Sequence, residues 1–199
     1  VVSSERNDMI IDNERKFVFV AIAKTACTSI HRRFGINQDP VPGIFHMRLE
    51  DILRQNPSVK NYYKFAFVRN PYDRLVSAFY NLRFSAEHRE WAYPIYEYNT
   101  FEDFVLNIEE SGCLDFIHLS TQFDFLQVGG KVDIDHIGKY ENLNEDFRKV
   151  ERDLKVPHIE LPVTRVSHHP SSASLYTNKM RKKVLKIYGI DFEAFKYEK

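Results

Sequence analysis

At 199 residues and 43% hydrophobic content, the chain can bury one substantial core, and no Gly/Ser/Pro-rich linker divides it. Its 28 Lys plus Arg balance 28 Asp plus Glu, which excludes a global field drawing it to nucleic acid or an anionic membrane and leaves anion recognition to local clusters. No run approaches the ~20 apolar residues of a membrane span.

Residues 1–15 are polar and charged around Met9-Ile10-Ile11 and read as a tail or short edge strand ahead of a single domain over 16–199. The sequence begins at Val1 without a methionine, which leaves a removed leader or anchor open. Phe17 to Ile22 is a continuous run of apolar, β-branched and aromatic residues, the pattern of a strand buried on both faces inside a parallel sheet. It breaks off at Ala23-Lys24-Thr25. A small-residue loop bearing Lys24, Thr25, Cys27 and Thr28 then opens a short helix that Gly35 can close. Exposed N–H groups at such a turn, with the lysine charge beside them, suit a phosphate or sulfate. The plainer reading makes Lys24 a solvated lysine and Thr25 an N-cap. A nucleoside-triphosphate loop would read GxxxxGK[ST]; neither glycine is present, and the lysine precedes the small residues. Cys27 and Cys113 can form at most one bridge, and a disulfide at Cys27 would obstruct the loop, so free thiols are expected.

Gln38 to Gly43 is a turn with two prolines and a glycine, leading to Ile44-Phe45-His46. Met47 to Gln55 has the spacing of a short amphipathic helix, ended by Asn56-Pro57. Tyr62 to Val68 is the second strong strand, followed by Arg69-Asn70-Pro71 and a helix with Asn70 as N-cap, Pro71 first in the helix and Asp73 in its first turn. Two strand–loop–helix units predict parallel neighbours with their C-terminal ends on one edge, where open α/β sheets bind ligands. Arg69 would then join the Lys24 loop, with Ser77 on the helical face of Asn70 and Arg74. An arginine fork and a hydroxyl suit a second phosphate. Phe84 to Tyr98 is aromatic-rich around the single tryptophan, suited to stacking on a sugar or to filling a core.

The segments AKTACTS and FVRNPYDRLVSAFY resemble the paired nucleotide-binding segments of the PAPS-dependent sulfotransferases, most closely the carbohydrate branch and its bacterial relatives. The likeness continues through Gln122-Phe123-Asp124-Phe125-Leu126, Ile137-Gly138-Lys139-Tyr140-Glu141-Asn142-Leu143 and the closing stretch Ile187 to Tyr197. Ala23 stands where proline is usual in the family, and Cys27 where glycine or serine is common.

The resemblance implies an α/β three-layer, P-loop-like fold with a central parallel sheet flanked by helices. It implies sulfuryl transfer from PAPS to a hydroxyl-bearing acceptor, most plausibly a glycan, with no metal, no nucleic-acid partner and no membrane span in the visible chain. Lys24 would contact the leaving 5′-phosphate oxygen. Thr25, Ala26, Cys27, Thr28 and Ser29 would hold that phosphate through N–H groups and the Thr25 and Thr28 hydroxyls, while Arg69 and Ser77 take the 3′-phosphate. His46 matches the family's proposed base in position, its competing reading being a turn histidine bonded to backbone. Arg165 and Ser167, in the polar loop Val163 to Tyr176, would reach the 3′-phosphate or adenine edge. An acceptor cleft is expected between His46, the aromatic segment and Gln122. The basic run Lys179, Arg181, Lys182, Lys183 and Lys186 reads first as a solvated face, otherwise as a glycan contact. A bacterial cytoplasmic setting is the expectation, with a trimmed Golgi-lumenal domain as competitor. A P-loop nucleotide kinase and a non-catalytic module of the same fold stay open beside it.

Overall fold

The computed structural model describes residues 10–35, 46–84, 92–162 and 172–199. Its first half runs β1 (Ile10–Asp12), β2 (Phe17–Val20), α1 (Cys27–Arg33), α2 (Leu49–Gln55), β3 (Tyr63–Val68), α3 (Pro71–Phe84) and α4 (Phe101–Asn107). Then come α5 (Gln122–Leu126), β4 (Gln127–Val128), β5 (Lys131–Val132), β6 (His136–Lys139), α6 (Leu143–Leu154), α7 (Ser172–Leu175) and α8 (Asn178–Ala194). The result is a mixed α/β fold with a parallel-rich central sheet. Residues group into two compact units, Val1–Val68 with Asp124–Thr164, and Arg69–Phe123 with Arg165–Lys199.

The first unit carries the sheet, in the order β1-β2-β3-β6. β1 pairs antiparallel with β2, Ile10 opposite Phe19, as the expected edge strand. β2 and β3 are parallel neighbours, Phe17 opposite Tyr63 and Val20 opposite Ala66, and β3 pairs in parallel with β6. Alternation sends Phe17, Phe19, Phe65 and Phe67 into one apolar cluster with Cys27 and Ile30 of α1 and Phe147 and Val150 of α6. Val18, Val20, Ala66 and Val68, which point the other way, are buried as well. Burial on both faces is why these strands read as unbroken apolar runs. β2 stops at Val20, short of the expected Ile22, although Ala21 and Ile22 remain buried. Gly138 lies opposite Phe67, and a Cβ there would meet the Phe67 ring at 2.3 Å, so this register demands glycine.

The second unit is helical. Leu75, Val76, Phe79 and Leu82 of α3 pack with Phe104 of α4 and with Met180, Val184, Tyr188 and Phe192 of α8. Each fully buried side chain of this size contributes ~1.5–3 kcal/mol relative to exposure, so the unit has a core of its own. α8 is capped by Thr177, whose hydroxyl accepts the Met180 N–H, and is kinked at Tyr188 (φ −108°, ψ 16°). In the basic run, Lys183 and Lys186 both pair with Glu109, while Arg181 lies over the Tyr72 and Tyr176 rings. Among the described residues no helix is long and apolar enough to cross a membrane.

Candidate functional site

In the first unit the chain leaves β2 through a turn built on one carbonyl. The Ile22 oxygen accepts the Thr25 hydroxyl at 2.8 Å and the Cys27 thiol at 2.6 Å. Both side chains therefore face inward, Thr25 fully buried and Cys27 nearly so. Burial pushes the Cys27 thiol up to about 11, against the smaller opposing pull of Thr25 hydrogen bonds and the Lys24 charge. Lys24 and Ala26 both hold φ at 70°, the left-handed region, at a cost of ~1–2 kcal/mol each for residues with a Cβ. Left-handed residues of this kind turn successive N–H groups to one side, the backbone nest that binds anions. Ala26, not Thr25, is the N-cap of α1, and the helix is closed by Gly35 at φ 84° with its N–H on the Arg32 carbonyl.

The turn thus uses Thr25 and Cys27 as internal braces. The Thr25 hydroxyl, expected to help hold a phosphate, donates its hydrogen to the Ile22 carbonyl instead. Ser29 is buried behind the turn. One turn into α1, His31 is buried with Nδ1 on the Cys27 carbonyl at 2.8 Å, and desolvation pulls its pKa down to about 4.

His46 is half-buried, and its Nδ1 lies 2.9 Å from the Ala21 carbonyl. A carbonyl only accepts, so Nδ1 carries the hydrogen and a neutral ring has its lone pair on Nε2. The expected alternative, a histidine bonded to backbone, is thus what the geometry contains. The bond fixes tautomer and ring orientation beside the end of β2, just ahead of Lys24.

In the second unit, Asn70 caps α3 by accepting the Tyr72 N–H at 2.9 Å, as expected. Arg69 precedes it, with its backbone held by a side chain. Gln122 Oε1 accepts the Arg69 N–H and Nε2 donates to the Arg69 carbonyl, each at 2.8 Å. Ser77 and Arg74 lie on the buried face of α3, and Arg74 donates to the His118 and Ser120 carbonyls, so its fork serves the fold. Gln122 is fully buried, which removes it from the expected acceptor cleft.

Arg165 and Ser167, and the segment 85–91 with the tryptophan, lie outside the described residues. Asp191 was not singled out in sequence, although an acid set between apolar residues in Ile187 to Phe195 is a signal of a buried hydrogen-bonding role.

Residues 7–198 match the family model described as the sulfotransferase family. No curated protein and no solved structure matches the chain.

Proposed function

The chain belongs to the sulfotransferase family, and from that premise we propose that it moves a sulfuryl group from PAPS to a hydroxyl of a carbohydrate acceptor, on a P-loop-like three-layer frame. The observation that supports the reading is the His46 bond to Ala21, because it fixes the hydrogen on Nδ1 and so gives the neutral ring its basic lone pair on Nε2. His46 Nε2 takes the proton of the acceptor hydroxyl as the oxygen attacks sulfur. Lys24 neutralises charge growing on the 5′-phosphate oxygen while the S–O bond to it breaks and the new O–S bond forms. The N–H groups of residues 25–28 and the Thr28 hydroxyl hold that phosphate, with Ala26 supplying the left-handed turn. Arg69 and Ser77 take the 3′-phosphate, and Arg165 and Ser167 reach that phosphate or the adenine edge. As in phosphoryl transfer, positioning and electrostatics supply the catalysis, and no covalent enzyme intermediate is needed.

The test is calorimetric titration with 3′-phosphoadenosine 5′-phosphate, alongside ATP with Mg²⁺, followed by sulfate transfer from labelled PAPS to a panel of glycans. Tight binding of the former that is lost in Arg69→Ala, with turnover on a glycan that is lost in His46→Ala, is the expected result. Preference for Mg-ATP would overturn the reading in favour of a kinase.

A further inference from the structure

We propose that Gln122 and Asp191 are positioning residues for Arg69, a buried clamp reaching from α8 that fixes the backbone from which the 3′-phosphate contact extends. The inference rests on the reading of Arg69 given above and adds what holds it.

The clamp has two steps. In the first, one side-chain amide meets both polar groups of one residue: the Gln122 amide accepts from the Arg69 N–H and donates to the Arg69 carbonyl across a sequence separation of 53. This is the pairing a neighbouring strand would provide, delivered by a glutamine with no solvent exposure. In the second, the Asp191 carboxylate accepts the backbone N–H of Gln122 on one oxygen and that of Phe123 on the other, each at 2.9 Å. Asp191 is also fully buried.

The surrounding bonds act on the same short segment. Arg74 holds the His118 and Ser120 carbonyls, and the Tyr188 hydroxyl donates to the Leu119 carbonyl at 2.8 Å from the kink of α8. Residues 118–123 are therefore tied down from α3 and α8, and from this held segment Gln122 grips Arg69. Burying a carboxylate and an amide together is expensive unless every group is satisfied, and apolar packing would fill the space at less cost. What the polar relay provides, and apolar packing cannot, is a defined peptide orientation at Arg69. An arginine side chain has many rotamers, so fixing its root narrows the volume its guanidinium searches.

The test compares 3′-phosphoadenosine 5′-phosphate with adenosine 5′-phosphate by calorimetry, since the ratio of their affinities isolates the 3′-phosphate. Wild type is expected to prefer the former, and Arg69→Ala to abolish the preference. Gln122→Met, which keeps size and removes both bonds, is expected to cut the preference about tenfold, leaving adenosine 5′-phosphate affinity nearly unchanged and speeding amide exchange at Arg69. Asp191→Asn, which keeps shape and one acceptor, should give a smaller loss of the same kind and carries the test where Gln122→Met does not fold. A full preference in both variants, or an equal fall for both nucleotides, overturns the clamp while the reading of Arg69 stands. No preference in wild type, or its survival in Arg69→Ala, overturns the reading of Arg69 and the clamp with it.

Discussion

The Lys24 loop and the Arg69 turn both follow a buried strand, and they are held in opposite ways. The first is braced by its own neighbours: Thr25 and Cys27 reach back three and five residues to Ile22, and α1 closes at Gly35. The second is braced from far away in sequence, by Gln122 at a separation of 53 and, behind it, by Asp191 at a separation of 69 from Gln122. A locally braced turn is set as soon as its segment folds. A remotely braced one has its geometry only when the helical unit is complete, so lesions there should register in stability as well as in binding.

The largest effect that would sharpen this contrast is on chemistry in the first unit. His46→Ala should lower turnover by about 10²- to 10⁴-fold with no change in the thermal midpoint, read by sulfate transfer beside calorimetry. In the second unit Asp191→Ala should cost roughly 3 kcal/mol of stability, because two buried N–H groups lose their acceptor, and this is measured by urea denaturation. A small loss there would break the distinction between local and remote bracing.

Acid should separate the two regions next. The pKa of His31 is depressed by burial to about 4 against 6.5 for the free group. The unfolded chain thus binds its proton first, and the stability His31 contributes is complete above pH 6.5 and lost as pH falls toward 4, by roughly 2 kcal/mol at pH 5. Burial raises the Asp191 pKa, with Arg74 opposing, which has the other sign: its carboxylate weakens the fold as pH rises through the raised value. Protection factors from hydrogen exchange at pH 7 and pH 5 should fall in the first unit and hold in the second, and His31→Gln should flatten the first profile. The smallest effect is expected at the loop itself. Ala26→Gly relieves a left-handed φ and should stabilise by up to ~1 kcal/mol without lowering nucleotide affinity.

The same contrast decides what could be read from sequence. β2 and β3 are legible because burial on both faces leaves continuous apolar runs, and the ends of α1 and α3 because Gly35 and Asn70 act within a few residues. β6 is harder: His136–Lys139 is short and half polar, and it is a strand because its backbone pairs with Phe65 to Val68. The loop's inward braces escape because a threonine beside a helix start suits an N-cap equally well, and only three-dimensional packing turns Thr25 toward Ile22. Gln122 shows as part of a resembling segment, yet its role is set by partners distant in sequence. A polar residue that serves another's backbone leaves no periodic pattern.

Cys27 stands in the turn after β2, three residues from Lys24. A thiol there would ordinarily be a target, since positive surroundings favour the reactive thiolate. Here the sulfur is turned in toward the Ile22 carbonyl, with a pKa pushed up to about 11. At neutral pH the thiol therefore stays protonated, and peroxide and alkylating reagents find little to attack while the turn is intact. The residue makes the loop chemically quiet, and its slow alkylation becomes a clock for how often that turn comes apart.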